Sequence, residues 1–139
     1  MLIRKMSRSD LPALARMNVE IFKDTSLRQA LVALKHSFAH RAKSGCLVAE
    51  EGGKLVGAIF AEDITTFYSH AATIRSFFVA KSQRGKGAGK ALFAACMDGL
   101  EKSGTTNVSL HVDPKNKKAL SIYKKAGFKP FRLLLLRRF

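Results

Sequence analysis

An α/β fold, with a mixed sheet and helices packed on it, is what this sequence of 139 residues predicts. Three observations carry that expectation. The apolar pattern runs at helical spacing from Leu11 to Phe38 and then switches to strand-like runs near Cys46. Strands and helices then succeed one another in the order ββ-β-α-β-α-β. A glycine-rich turn joins one of those strands to the helix that follows it.

The elements follow in order. Met1 to Met6 reads as a first strand. Ser9 or Asp10 can cap a helix that tolerates Pro12 in its first turn. Leu11, Leu14, Ala15, Asn18, Val19 and Phe22 give that helix one apolar face. A second helical pattern follows Asp24-Thr25-Ser26, with Leu27, Ala30, Leu31, Leu34 and Phe38 on one side, and Ser44-Gly45 is expected to end it. Cys46 to Glu51 and Lys54 to Asp63 read as strands joined by a tight turn at Gly52-Gly53. Ala71 to Val79 is a fourth strand. Gly87 to Lys102 is helical, with Ala91, Leu92, Ala95, Cys96 and Leu100 on its inner face. Asn107 to Val112 is a fifth strand, and Asn116 to Ala126 a fourth helix that stops at Gly127, a residue type suited to the left-handed position after a helix. Phe128 onward reads as strand again.

Size and composition suit one domain, residues 1–139, with one core. The longest wholly apolar run, Leu133 to Leu136, is far short of the roughly 20 residues of a membrane span, so no membrane partner is expected. The N-terminus lacks the apolar core of a signal peptide. Cys46 and Cys96 have no CxxC spacing and read as reduced, buried thiols in a cytoplasmic protein, with no metal site. The net charge of +15 is uneven: residues 1–69 carry ten Lys or Arg against seven Asp or Glu, and residues 70–139 carry fifteen against three. An anionic partner for the second half is expected, whether a phosphorylated cofactor, an acidic protein, or a nucleic acid or ribosome.

The richest motif is Gln83-Arg84-Gly85-Lys86-Gly87-Ala88-Gly89-Lys90, between the fourth strand and the third helix. Glycines at alternate positions let the backbone approach a ligand and aim several N–H groups one way. The helix N-terminus favours phosphate, and Arg84, Lys86 and Lys90 add formal charge. A Walker A loop would need glycine at Arg84 and Ser or Thr at Ala91, and both tests fail. The dinucleotide fingerprint fails because Lys90 stands where its third glycine belongs. A plain glycine turn between strand and helix remains the alternative on these residues alone.

Arg84-x-x-Gly87-x-Gly89 after a strand ending in Val79 resembles the acetyl-CoA motif of the GCN5-related N-acetyltransferases (GNAT). Leu110 through Phe128, with Asn116, Tyr123 and Gly127-Phe128, is similar to that family's fifth strand, fourth helix and Gly-Phe ending. Asp10-Leu11-Pro12 is similar to the family's opening. The resemblance implies a mostly antiparallel mixed sheet with helices on both faces, and acetyl transfer from acetyl-CoA to a primary amine. It implies backbone pairing of the pantetheine amides with Phe77 to Val79. It also implies a pyrophosphate cradle over Arg84, Gly85, Lys86, Gly87, Ala88, Gly89 and Lys90, and a bond from Asn116 to pantetheine or the acyl region.

By the same resemblance Tyr123 is the general acid toward the departing thiolate; a thiol and a phenol have close enough pKa values for useful proton transfer. On residues alone Tyr123 could equally be a core aromatic, since Ala119, Ile122 and Ala126 share its face. Many family members place a carboxylate base on the fourth strand, where this chain has Arg75 and Ser76. Bacterial enzymes that acetylate ribosomal-protein N-termini use a glutamate on the fifth strand, at the position of His111 here. Histidine titrates near neutrality and can take a proton through water, so His111 is the candidate base, with Glu62 and Asp63 behind it. His36, His40 and His70 read as surface or packing residues.

The missing fourth-strand carboxylate leaves open a non-catalytic acyl-CoA-binding module. The basic second half leaves open a ribosome- or nucleic-acid-associated protein, although no aromatic is interleaved to stack on bases. Around the acceptor the sequence offers Phe22, Phe38, Phe67 and Tyr68 with few acids, which argues against a polycationic acceptor. A strand at Leu133 to Leu136, apolar on both faces, is expected to pair with a second copy in a homodimer.

Overall fold

The computed structural model describes residues 1–139. The order of elements is β1 (Leu2–Lys5), α1 (Leu11–Ile21), α2 (Leu27–Ala39), β2 (Arg41–Glu51), β3 (Lys54–Asp63), β4 (Ala71–Val79), α3 (Ala88–Lys102), β5 (Asn107–Leu110) and α4 (Lys117–Lys125). The sheet runs β1-β2-β3-β4-β5. Its first three pairings are antiparallel and β4–β5 is parallel, so the sheet is mixed and mostly antiparallel.

Local chemistry sets the boundaries. Before α1 the Ser7 N–H donates to the Asp10 carboxylate at 2.7 Å, and Arg4 grips both oxygens of that carboxylate at 2.9 Å. At α2 the Gln29 N–H donates to the Ser26 hydroxyl at 3.1 Å, and the Ser26 N–H donates back to the Gln29 amide oxygen at 2.9 Å, a reciprocal capping box. α4 ends at Gly127, whose φ of 94° is open to glycine at little cost.

Helices cover both sheet faces. Leu11, Leu14 and Ala15 of α1 and Ala30, Leu34 and Phe38 of α2 pack with Cys46, Val48, Ala58, Phe60 and Phe78 on one face. Leu92, Cys96 and Leu100 of α3 pack with Leu47, Ala49, Ile59, Ala61 and Ile74 on the other. β2 and β3 are therefore buried on both sides through Cys46–Ala49 and Val56–Glu62, which explains their continuous apolar runs. The two cysteines are free and lie in opposite layers; burial pushes the Cys46 thiol up to about 11 and the Cys96 thiol up to about 12. No helix is long and apolar enough to cross a membrane.

Two expectations are corrected. Ser44-Gly45 does not end α2; the helix stops at Ala39, and β2 already runs from Arg41. Ser44 has φ of 64° inside an irregular stretch of β2, and a Cβ on Gly45 would sit 2.9 Å from the Ala61 carbonyl oxygen. The glycine there allows close strand approach. The second correction is the terminal strand. Residues 128–139 form no strand, and Leu133 to Leu136 are 75–84% exposed. A strand needs a hydrogen-bonding neighbour, and this segment has none within the chain.

Candidate active site

β4 and β5 share a ladder only from Ala71↔Asn107 to Ile74↔Leu110. Beyond it β4 runs on to Val79 paired with β3 alone, while the chain after Leu110 turns off toward α4. The parting leaves one edge of Arg75–Val79 open and a cavity of about 310 Å³ beside it. Phe77 of β4, His111 after β5, and Asn116 and Tyr123 of the α4 region line this cavity together, with Arg75, Ser76 and Asp113. Four sequence-predicted site residues, far apart in the chain, thus share one wall.

Tyr123 is held by a small aromatic cluster. Phe93 of α3 sits at its centre, with ring centroids 6.1 Å from Phe77, 5.8 Å from Tyr123 and 5.9 Å from Phe128. Partial burial pushes the Tyr123 phenol above its ordinary pKa, so it keeps its proton. His111 lies one residue beyond β5 and is exposed at the cavity wall. Asn116 also serves the fold. Its side-chain oxygen accepts the Ala119 N–H at 3.2 Å and caps α4, leaving its amide nitrogen for another partner.

The glycine loop follows a short 3₁₀ turn at Lys81–Gln83. Gly85 and Gly87 take left-handed φ of 76° and 91°. The Arg84 N–H still donates back to the Lys81 carbonyl at 3.4 Å, and regular bonding resumes where Ala91 donates to Gly87 at 3.0 Å. Between them the consecutive N–H groups from Gly85 through Lys90 donate to no acceptor within the protein. Such a run of free donors at a helix N-terminus is a nest for an anion. Gly89 is different: a Cβ there would meet Phe77 and Val79 at 3.6 Å, ordinary contact, so the protein itself does not require glycine at that position.

The charged side chains around the loop are partly engaged. The Arg84 Nε donates to the Val79 carbonyl at 3.3 Å, and the Lys86 ammonium donates to Gln83 at 3.4 Å. Lys86 and Ala88 also line a separate cavity with Met1, Glu51 and Val56.

Other candidates fall elsewhere. Phe38 is core, and Phe67 and Tyr68 stand exposed at the tip of the β3–β4 hairpin, so only Phe22 of the predicted acceptor aromatics lines the cavity. Asp63 accepts the Thr65 N–H at 2.8 Å, and the Thr65 side chain first and then this N–H hold its carboxyl below the ordinary value. Glu62 is buried, accepts the Ser37 hydroxyl at 2.8 Å and meets Arg75 Nε at 3.3 Å. Sequence reasoning missed that pair, because residues 62 and 75 meet only through the β3–β4 register.

Comparison with known proteins agrees with this geometry. The model of the acetyltransferase (GNAT) family matches residues 11–128. The uncharacterized N-acetyltransferase YhfO of Bacillus subtilis (strain 168) is 29% identical over 133 residues, covering 91% of this chain and 88% of its own. PH1933 from Pyrococcus horikoshii OT3 superposes with a TM-score of 0.80 at 28% identity, over 96% of this chain and 91% of its own. AAC(6')-Iy, solved with the bisubstrate analogue CoA-S-monomethyl-acetylneamine, superposes with a TM-score of 0.78 at 19% identity, over 99% of this chain and 97% of its own.

Proposed function

The chain belongs to the GNAT acetyltransferase family, and on that premise we propose that its residues 1–139 form a single catalytic domain transferring acetyl from acetyl-CoA to a primary amine. The observation that carries the donor assignment is the run of free N–H groups from Gly85 through Lys90, set beside the open edge of β4.

In this reading the loop N–H groups bond the donor's pyrophosphate, with Arg84, Lys86 and Lys90 supplying charge around it. The unpaired edge at Phe77 and Val79 bonds the pantetheine amides as a neighbouring strand would. The amide nitrogen left free by the Asn116 cap reaches the same arm. Acetyl-CoA supplies a thioester, which an unprotonated amine attacks with departure of a thiolate. His111 takes the proton from the incoming ammonium through water, Tyr123 donates its proton to the departing thiolate, and the second proton that the nitrogen sheds as the amide forms returns to the tyrosinate.

The buried free thiols suit a reducing, cytoplasmic compartment. The exposed Phe131, Leu133–Leu136 and Phe139 support a homodimer in which this segment is covered by a second copy. Calorimetry with acetyl-CoA, followed by thiol release across an amine panel, tests the activity. Absence of acetyl-CoA binding overturns it.

A further inference from the structure

Where the family resemblance leads one to expect a carboxylate, this cavity presents a guanidinium. β3 and β4 pair at Phe60↔Ser76 and then at Ala61↔Ile74, so Arg75 is the extra residue of a β-bulge. A bulge breaks the ladder and re-aims the side chain it carries. Arg75 lines the cavity beside Tyr123 and His111 and is half exposed. Its Nε lies 3.3 Å from the Glu62 carboxylate, while its terminal amino groups have no hydrogen-bond partner in the protein.

Glu62 is a fixed anchor. It is buried, its Oε2 also accepts the Ser37 hydroxyl at 2.8 Å, and His36 Nε2 stands 3.8 Å from its other oxygen. Arg75 is therefore ion-paired to Glu62 on its Nε side, without a hydrogen bond between them, and its terminal edge is left for a second partner. The one carboxylate lining the cavity is that of Asp113, whose Oδ1 accepts the Lys115 N–H at 2.8 Å. An acceptor carrying several ammonium groups meets a single acid here. A planar guanidinium edge with two parallel donors matches the two oxygens of a carboxylate.

Resting on the acetyltransferase reading, we infer that the acceptor is a small amine that also carries a carboxylate, an amino acid or ω-amino acid, and that Arg75, anchored by Glu62, receives that carboxylate. A guanidinium edge matches a carboxylate and a phosphate alike, and the phosphoethanolamine arm of the experiment below separates the two; the cavity of about 310 Å³ also takes the acyl end of the donor, so the acceptor is small. Arg75 is then the residue that sets specificity, with Glu62 as its positioning residue.

The experiment measures thiol release from acetyl-CoA with free L-amino acids, their C-terminal amides, β-alanine, 4-aminobutyrate and phosphoethanolamine. Acids are expected to exceed their amides in kcat/KM by at least about tenfold, the scale of a charge-assisted hydrogen bond. Arg75→Gln should remove that ratio by raising KM for the acids, Arg75→Lys should restore part of it, and calorimetric acetyl-CoA affinity should be the same in all three proteins. An amide preference, a preference for phosphoethanolamine, or an acid-to-amide ratio surviving in Arg75→Gln overturns the inference. So does absence of turnover with every acid by a protein that binds acetyl-CoA. Failure to bind acetyl-CoA instead overturns the acetyltransferase reading beneath it.

Discussion

The Phe128 N–H donates to the Tyr123 carbonyl at 3.0 Å while the two rings lie 6.0 Å apart. With the Gly127 N–H on Lys124 at 3.1 Å, this is the Schellman closure of α4, including its customary apolar contact across the turn. The backbone turn that ends the helix therefore also places the proposed acid. The Gly-Phe pair carries a mechanical role: glycine takes the left-handed turn, and phenylalanine folds back on the tyrosine.

Tyr123→Phe keeps the ring in its cluster with Phe93 and Phe128 and removes only the hydroxyl. Turnover should fall by about 10²-fold, with acetyl-CoA affinity and melting temperature nearly unchanged. Steady-state kinetics paired with calorimetry check this. Unchanged turnover would reduce Tyr123 to packing.

Gly87 and Gly89 should fail in different ways. Gly87→Ala strains a residue at φ 91° and is expected to cost about 1 kcal/mol of stability. Gly89→Leu meets only ordinary contacts within the protein, so the fold should persist while acetyl-CoA binding is lost to the side chain. Denaturant unfolding and calorimetry on both variants separate strain from ligand exclusion. The wild-type affinity should also fall as salt rises, since basic side chains face a polyphosphate donor.

His111→Ala removes the proposed base, so turnover should fall by about 10²-fold while calorimetric acetyl-CoA affinity stays the same. Unchanged turnover would remove His111 from the mechanism.

Asp10 contributes to acid sensitivity. Hydrogen bonds from Arg4 foremost, and then from Ser7, hold its carboxyl below the ordinary range against the opposing effect of burial. A carboxylate lowered in the fold stabilises fully above its unfolded value of about 3.9, and that contribution is lost as pH falls through the lower folded value. Asp10→Asn should cost about 1–3 kcal/mol at neutral pH and flatten the loss of stability below about pH 4. Urea unfolding at several pH values reads both effects.

The exposed terminal segment predicts association. Sedimentation at micromolar concentration should give a dimer for the wild type and a monomer for Leu134→Ser/Leu135→Ser. A wild-type monomer would end the dimer proposal.

Helix spacing, the tight turn at Gly52-Gly53, the glycine loop and the Gly127 stop were legible in the sequence because each depends on neighbours a few residues away. The start of β2 was not. Glycine at 45 looks like a helix stop, yet it answers to the Ala61 carbonyl across the sheet. The Glu62–Arg75 contact escaped for the same reason, being a product of register and bulge. The terminal leucines misled differently: their apolar character suits a strand, but strand formation also needs a partner that composition cannot supply.

The open edge of β4 bears on solubility as well as on chemistry. Unpaired strand edges invite other chains, and the bulge with its charged Arg75 at one end of this stretch is the kind of feature that discourages such pairing. A donor lying along Phe77–Val79 would complete the guard by standing in for the missing strand, so the donor-bound protein should aggregate more slowly than the free protein.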